Sequence, residues 1–480
     1  MFLLALLLVF YKKIMKPEQA KYRYKIELDN REIALPKREE LREKQKVILI
    51  SGILSIILIA IIFYTLPLTI LSLKGLIVYS SIVSLVIFLL ILLFRYFSIL
   101  FLAYFYITRY SVKKYKNYSP FVSIIVPVYN EGISLKNSII SLLNLDYQNY
   151  EIIIVNDGST DNSKELAESF IGYQNGIHSQ VKISLINKPN GGKSKALNAG
   201  IQYSEADFVL CMDGDSILSS ATLKNSIRHF ADPNVGAVAG NVKIQNRKKW
   251  LTDLQALEYV EGLNLARSAQ GHIKMVNIIP GPIGIFRKEV LREVGFYSSD
   301  TFAEDADITL KILSLGWKIE YEPNACALTE APITVHQLLK QRYRWTRGIL
   351  QAIRKHKKHL YNPTLNFSNT LVLWGMFYES LVWPAMNIFA NLFFIFVALF
   401  NGMSSLIFYW WLGIALLDFM SAIYSVAVEK EEFRLVPWAI VYRMVFVLLI
   451  DITKTMALIE EFLGIKMEWG KLERIGIQYR

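Results

Sequence analysis

The sequence contains very little cysteine and histidine. Of its 480 residues, two are cysteine, Cys211 and Cys326, and six are histidine. The spacing of the two cysteines fits no zinc site, and two cysteines cannot build the disulfide framework of a small secreted domain. Both are expected to be packed thiols.

Acidic residues are fewer than basic ones, 41 against 53, and the formal net charge is +12. An excess of positive charge can indicate nucleic-acid binding, but many of these basic residues flank apolar runs, where they would face anionic lipid. The charge therefore favours a membrane surface, and no nucleic-acid partner is expected.

The first ten residues are not expected to be a secretory signal. Residues Met1 to Phe10 are apolar but too short to span a bilayer, and they have neither a basic n-region nor a small-residue cleavage site. This segment is interpreted as an interfacial anchor.

Apolar residues, 53% of the chain, are concentrated towards its two ends. Val47 to Leu73 and Leu76 to about Leu93 are each long enough to cross ~30 Å of hydrocarbon, which predicts a transmembrane hairpin. Lys and Arg lie before the first run and after the second, so both ends of the hairpin should face the cytoplasm, together with the polar middle of the chain. The protein is expected to be integral to the cell membrane.

Near the carboxyl end, Trp383 to Phe400 and Leu406 to Val428 are candidate spans, while Thr370 to Ser380 and Val436 to Leu463 are ambiguous. The last run carries Arg443, Asp451 and Lys454, charges that belong either on an interfacial helix or along a polar path between helices. The predicted organisation is a segment 1–46 that is interfacial or cytoplasmic, a hairpin 47–107, a cytoplasmic domain 118–361, and interfacial and transmembrane helices 362–480.

The middle domain alternates short β-rich runs with longer amphipathic ones. The pattern predicts strands at Val122–Val128, Glu151–Val155, Val181–Ile186 and Asp207–Met212, with helices between them. Repeated βαβ units indicate a largely parallel sheet with helices on both faces. In such sheets a ligand lies beyond the carboxyl ends of the strands, where the sequence has Tyr129, Asp157 and Asp213.

Two polar motifs stand at these strand ends. Asp213-Gly214-Asp215 brings together two carboxylates that suit a hard divalent cation carrying a diphosphate, or else form a solvated acidic turn. Asp157-Gly158-Ser159 is either a binding loop or a turn that caps a helix.

The glycine-rich run Lys188 to Gly200 is not a nucleoside-triphosphate P-loop, because Asn187 stands where that motif requires glycine. A glycine turn that opens a helix still offers backbone N–H groups to an anion, with Lys193 as a point charge.

Two further motifs lie downstream. In Ala303-Glu304-Asp305, a carboxylate could act as general base, or the acids could simply favour the first turn of a helix. In the basic helix from Gln341 to Trp345, Arg344 could bind a diphosphate and Trp345 could face a sugar, although a juxtamembrane helix would look the same.

In their order along residues 121–361, these motifs resemble the processive family 2 membrane glycosyltransferases, which include cellulose, chitin, hyaluronan and poly-N-acetylglucosamine synthases. Pro280 to Arg287 and Thr329 to Pro332 are most similar to the poly-N-acetylglucosamine branch. Trp469 to Arg474 also looks like a carboxyl-terminal signature of the family. The chain has Ala303 where many relatives have threonine, and Asn156 where they have aspartate.

The resemblance implies an α/β nucleotide-sugar transferase (GT-A) fold inserted between amino- and carboxyl-terminal membrane helices. It also implies a role for each motif residue. Asp305 would be the catalytic base, Tyr129 and Asp157 would hold uracil, Lys193 and Arg344 would hold the diphosphate, Asp213 would hold the ribose and Asp215 the Mg²⁺ or Mn²⁺ ion, and Gln341 and Trp345 would shape the acceptor site.

The implied activity is inverting transfer of a hexosyl unit, N-acetylglucosamine by branch resemblance, from a UDP-sugar to a growing β-linked polysaccharide. One alternative is a glycolipid synthase that adds a single sugar to a membrane lipid, so the expected acceptor is a glycan or a lipid. Another is a transporter with a nucleotide-sensing domain.

Overall fold

The computed structural model describes residues 76–109, 118–401 and 404–465. The predicted anchor at Met1 to Phe10, the first predicted span at Val47 to Leu73 and the motif at Trp469 to Arg474 lie outside the described residues.

The described residues contain one nine-stranded sheet, in the order β3-β4-β2-β1-β5-β8-β7-β9-β6. Its strands are β1 Val122–Val128, β2 Tyr150–Asn156, β3 Gly172–Asn175, β4 Gln180–Asn187, β5 Phe208–Cys211, β6 Ile217–Leu218, β7 Val235–Ile244, β8 Gly284–Arg287 and β9 Lys318–Thr329. The four strands predicted from the sequence are β1, β2, β4 and β5, each within two residues of its predicted ends.

The sheet is mixed, with six of its nine strands running in one direction. Strands β4, β2, β1 and β5 run parallel, as predicted. Strand β8 pairs antiparallel with both β5 and β7, so β7 runs in the direction of β5, and β9 pairs parallel with β7. Strands β3 and β6 are antiparallel to their neighbours β4 and β9. The prediction missed the three antiparallel strands, because the βαβ pattern from which it was made ends after β5.

The helices are α1 Leu76–Arg109, α2 Leu135–Leu143, α3 Ser163–Glu168, α4 Lys193–Tyr203, α5 Thr222–Ile227, α6 Trp250–Glu258, α7 Leu265–His272, α8 Lys288–Glu293, α9 Glu304–Ser314, α10 Val335–Lys355, α11 Lys357–Tyr361, α12 Phe367–Phe377, α13 Trp383–Asn401, α14 Ser404–Val428, α15 Trp438–Val441 and α16 Val447–Phe462. Single π-helical segments, Tyr259–Asn264, Tyr378–Val382 and Tyr442–Phe446, interrupt the longer helical runs.

Apolar side chains are buried on both faces of the sheet. Every residue of β1 and β2 is buried. Ile124 and Ile152 belong to one core cluster, whereas their neighbours Ile125 and Ile153 belong to another on the opposite face. Successive residues of a strand point to opposite faces, so a sheet covered by helices on both sides requires continuous apolar runs.

Helix α1 is longer than the second predicted span. Its segment Val83–Ile107 is the one helical segment in the described part of the chain that is long and apolar enough to cross a membrane, whereas Leu412–Val428 is apolar but shorter. The span was predicted to end near Leu93, but in the structure the helix continues through Arg95, which forms an ion pair with Glu379. A charge that is paired inside a helical bundle does not end an apolar helix.

Candidate active site

Three charged side chains from separate parts of the chain meet at the carboxyl end of β5. Lys193 is the first residue of α4, Asp213 lies in the turn after β5, and Glu304 is the first residue of α9. The Lys193 Nζ atom lies 2.5 Å from Asp213 Oδ1 and 2.8 Å from Glu304 Oε1. Asp213 thus lies at the carboxyl end of β5, as predicted, and Lys193 contacts it there.

Asp305 lies in the same crevice, which is also lined by Lys193, Glu304 and the turn at Pro280 and Gly281. A Cβ atom at Gly281 would lie 2.8 Å from Lys193 Nζ and 3.3 Å from Asp213 Oδ2. The backbone at Gly281 therefore passes directly over the Lys193–Asp213 ion pair, and a side chain there would displace the ammonium group.

The electrostatic surroundings of Asp305 favour a base that works near neutral pH. Burial raises the pKa of its carboxyl group first, and the neighbouring charge of Glu304 raises it further, to about 6. Lys193 and the backbone N–H of Ala306, which donates to Asp305 Oδ1 at 2.8 Å, oppose this rise. Burial lowers the pKa of Lys193, but Asp213 and Glu304 outweigh burial and hold it well above its ordinary value, so Lys193 is charged.

Asp215 is 3% exposed and follows Asp213 by two residues. Within the described ranges no cluster of three or more His, Cys, Asp or Glu side chains could hold a metal ion. Two carboxylates nevertheless fit Mg²⁺ or Mn²⁺, because such ions are commonly bound by one or two carboxylates and completed by substrate phosphates and water. The residues present fit a cation that binds together with a diphosphate.

Asp157, predicted to hold uracil, contacts the protein's own backbone. Its Oδ1 accepts a hydrogen bond from Gly191 N–H at 3.0 Å and its Oδ2 accepts one from Gly192 N–H at 2.8 Å, while Lys188 pairs with Oδ1. Tyr129, the other predicted uracil contact, is 40% exposed at the end of β1.

Helix α10 carries the predicted diphosphate and acceptor residues. Gly348 is packed so closely that a Cβ atom would lie 2.5 Å from Ala303 N, the residue before Glu304. Arg344 lies four residues earlier, on the same side of the helix. The structure thus places Arg344 one turn from the contact between α10 and the segment that carries Asp305.

Gln341 and Trp345 surround a residue that the sequence analysis missed, Arg342. The Arg342 guanidinium is 3% exposed, pairs with Glu258 at 2.5 Å and donates to Gln341 Oε1. Its Cζ atom lies 4.2 Å from the centroid of the Trp345 ring, a cation–π contact. Gln341 and Trp345 are therefore held in place by a buried guanidinium.

Glu304 and Lys188 were also missed. Each is a charged residue beside a motif residue to which a role was given, Glu304 before Asp305 and Lys188 before the glycine turn. Adjacency to such a residue was a usable signal for both. Arg342 likewise adjoins a motif residue, Gln341, but its partner Glu258 lies on a different helix, α6, and no sequence pattern indicates that pairing.

Comparison with known proteins finds similarity to glycosyltransferases in the middle of the chain. Residues 123–295 match the family model described as Glycosyl transferase family 2. The chain is 33% identical over 228 residues to the poly-beta-1,6-N-acetyl-D-glucosamine synthase of Staphylococcus epidermidis, covering 47% of this chain and 54% of that protein. It is likewise 33% identical over 253 residues to the synthase of Staphylococcus aureus, covering 51% and 60%. The match thus spans little more than half the length of these curated relatives.

Among solved structures, the mannosyltransferase PcManGT from Pyrobaculum calidifontis, in complex with GDP-Man and Mn²⁺, has a TM-score of 0.50 with 19% sequence identity, covering 73% of this chain and 89% of that one. This likeness confirms the α/β nucleotide-sugar transferase fold. Residues 123–295 are therefore similar to a glycosyl transferase family 2 domain.

Proposed function

We propose that the protein is an inverting membrane glycosyltransferase that uses a UDP-sugar, UDP-N-acetylglucosamine, to extend a β-linked polysaccharide. The observation that carries the proposal is the meeting of Lys193, Asp213 and Glu304 beside Asp305. This cluster combines the ammonium group of Lys193, which can bind a diphosphate, with the carboxylate of Asp305, whose pKa of about 6 suits removal of a proton. The choice of N-acetylglucosamine rests on the two staphylococcal relatives.

In the proposed reaction Asp305 accepts the proton of an acceptor hydroxyl, and that oxygen displaces UDP from the anomeric carbon of the donor. Lys193 and Arg344 bind the diphosphate as it leaves, and Tyr129 and Asp157 are the residues proposed at the uracil end. Gln341 and Trp345 are proposed to shape the acceptor site, where the Trp345 ring offers an apolar face to a sugar.

A divalent cation, Mg²⁺ or Mn²⁺, is the proposed cofactor. Asp215 would hold it, with Asp213 between the ion and the ribose. When bound, such an ion neutralises developing negative charge on a leaving diphosphate. Lys193 now pairs with Asp213, so donor binding requires the ammonium group to exchange part of that contact for phosphate oxygens.

The proposed location is the cell membrane, with the catalytic domain in the cytoplasm between the hairpin 47–107 and the helices 362–480. Three polar contacts between helices support a packed helical bundle: Arg95 with Glu379, Arg443 with Asp418, and Asn387 with Asp451. Arg443 and Asp451 therefore do not point into bulk solvent. We retain them, with Lys454, as residues lining a polar path for the product.

Purified full-length protein in detergent, incubated with UDP-N-acetylglucosamine, Mg²⁺ or Mn²⁺ and a short β-linked primer, is expected to release UDP and to form a high-mass product that a glycosidase degrades. A solvent-extractable glycolipid as sole product would contradict polymer synthesis. Absence of UDP release from every UDP-sugar tested would contradict the transferase itself.

Asp305→Asn is expected to reduce turnover by about 10²–10⁴-fold, because that is the usual contribution of a positioned general base. UDP affinity should stay near that of the wild type, since the substitution preserves shape and lies outside the proposed diphosphate contacts. Asp300→Asn is the matched control, because Asp300 lies on the surface nearby and pairs with Lys355. Unchanged turnover in Asp305→Asn would refute the assignment of the base.

A further inference from the structure

Arg342 is a buried charge on α10 to which the proposed reaction gives no task. It is 3% exposed, and two of its nitrogens reach the Glu258 carboxylate, Nη2 at 2.5 Å and Nε at 3.3 Å. Glu258 is the last residue of α6, 84 residues earlier in the chain. The pair therefore joins α10 to α6, and it fixes the guanidinium because an unpaired charge away from water is costly.

The same guanidinium determines the orientation of the Gln341 amide. Arg342 Nη1 donates to Gln341 Oε1. A guanidinium has donors only, so the amide must turn its oxygen towards Arg342. The amide nitrogen, which carries two N–H donors, then faces away from Arg342. Gln341 is thus arranged to donate hydrogen bonds to a bound molecule, and the group that it can recognise is an oxygen acceptor.

Arg342 also covers one face of the Trp345 indole. The guanidinium carbon lies over the ring, 4.2 Å from its centroid. A planar guanidinium stacks well on an aromatic face, which a lysine ammonium cannot reproduce. The Tyr259 ring, next to Glu258 in the chain, lies 6.5 Å from the indole at an interplanar angle of 52°. Only the face of the indole opposite Arg342 is left for a sugar.

This cluster lies near the end of β5. Burial raises the pKa of the Tyr259 hydroxyl to about 12, against the opposing charge of Arg342. The negative charges of Glu258 and Asp213 add to this rise. Since Asp213 acts on Tyr259 through its charge, the Tyr259–Trp345 ring pair is within electrostatic reach of the carboxylate that follows β5. A sugar on Trp345 would therefore lie beside the proposed diphosphate site.

We infer that Arg342, held by Glu258, is a positioning residue for the acceptor. It presents one face of Trp345 and the amide N–H donors of Gln341 to a sugar that offers an oxygen acceptor, a hydroxyl or an acetamido carbonyl. The inference rests on the proposed function and deepens it, because it assigns the chemistry by which the acceptor site recognises a sugar. Arg342 acts through its two neighbours on α10.

Replacing both Arg342 and Glu258 by methionine separates a positioning role from a merely structural one. A buried ion pair replaced by apolar residues of similar volume usually leaves folding intact, so the double variant Arg342→Met, Glu258→Met should fold. It can no longer direct the Gln341 amide. In full-length protein in detergent, the KM for a short oligosaccharide of β-linked N-acetylglucosamine should rise about tenfold or more, because a hydrogen bond to a charged group is lost. The KM for UDP-N-acetylglucosamine should stay within about twofold.

Gln341→Glu tests the hydrogen-bond donors. A glutamate keeps an oxygen for Arg342 but has no N–H group, so the KM for the oligosaccharide should again rise about tenfold. An unchanged or lower KM would show that Gln341 accepts a hydrogen bond from the sugar, and it would overturn the inference.

The matched control is the double variant Arg347→Met, Glu461→Met. Arg347 is a second buried arginine of α10, 4% exposed, which pairs with Glu461 of α16 at 2.6 Å and lies 5.7 Å from the Tyr343 ring. Removing this pair should leave both KM values within about twofold. Should the Arg342→Met, Glu258→Met protein fail to fold, Arg342→Lys retains the charge but not the planar fork, and the same split between the two KM values is expected.

A wild-type KM for the oligosaccharide in the Arg342→Met, Glu258→Met protein would overturn the inference, as would an equal rise in both KM values. Near-ultraviolet circular dichroism separates this result from failure of the proposed function, because it needs no turnover of a UDP-sugar. The signal of Trp345, taken as the difference between each protein and its Trp345→Phe derivative, should change in this variant and not in the control. An unchanged Trp345 signal would count against the inference.

Discussion

At the scale of single residues, the adjacent acids Glu304 and Asp305 have different tasks. Glu304 holds Lys193 at 2.8 Å, whereas the Asp305 carboxylate contacts the backbone N–H of Ala306 and lines the crevice. The negative charge of Glu304 also helps raise the pKa of Asp305 to about 6. Glu304 thereby positions the Lys193 ammonium group and brings the pKa of Asp305 closer to neutral pH, where a general base works best.

This arrangement predicts the pH dependence of turnover. The proposed base, Asp305, must be ionised to accept a proton, so kcat should fall about tenfold per pH unit below pH 6 and level off above it. In Glu304→Gln the loss of a neighbouring negative charge should lower the pKa of Asp305 and move the acid limb to lower pH. A pH–kcat profile measures both.

The control for that profile is Glu289→Gln, an exposed acid on α8, which should leave the limb in place. An acid limb that does not move in Glu304→Gln would show that another group controls it.

Between elements, the contact of α9 with α10 determines where Asp305, the proposed base, lies. Gly348 brings α10 against Ala303, and Gln351 Oε1 accepts from Phe302 N–H at 3.1 Å. Asp307, fully buried one turn into α9, pairs with Lys355 and His356 at 2.9 Å each. Helix α10 thus contacts this segment both before and after Asp305 in the sequence.

Gly348→Ala is expected to lower the free energy of unfolding by about 1–3 kcal/mol, because the new Cβ would meet a backbone atom that cannot move aside. It should also lower kcat, since Ala303 and the following Asp305 must shift. Thermal unfolding and initial rates measure the two effects.

Gly375→Ala, in α12, is the matched substitution. Its Cβ meets nothing within 4 Å, so it should be neutral or stabilising by up to about 1 kcal/mol. If the two variants unfold at the same temperature, the packing of α10 is not what restrains this segment.

At the scale of the whole molecule, ion pairs join the nine-stranded sheet to the helices of the carboxyl-terminal part. Glu431, whose side chain is fully buried, follows the end of α14 and pairs with Lys243 at 3.0 Å and with Arg247 at 2.5 Å, one in β7 and the other just after it. A further connection is the hydrogen bond that the Tyr106 hydroxyl in α1 donates to Tyr321 O in β9. The apolar helices and the sheet are therefore joined by buried polar contacts.

The proposed membrane integration predicts that the protein remains in the membrane pellet after an alkaline carbonate wash and is released only by detergent. The apolar segment Val83–Ile107 and the paired charges between helices are the reasons. A known peripheral protein from the same membranes serves as the control. Release by carbonate alone would place the protein on the membrane surface.

The sequence by itself determined the local elements of the first half of the domain and the positions of its motifs. Strand periodicity located β1, β2, β4 and β5, and the rule that ligands bind at the carboxyl ends of parallel strands predicted that Asp157 and Asp213 lie at one edge. These features depend on residues close together in the chain, so local patterns suffice to predict them.

Only the tertiary structure decided which partner each of these residues has. Asp157 contacts the glycine turn before α4, Lys193 is shared by Asp213 and Glu304, and Arg342 is buried between Glu258 and Trp345. It also decided that the antiparallel strand β8 lies between β5 and β7. Each of these contacts joins residues far apart in sequence, and their burial and pairing energies depend on packing that no local pattern encodes.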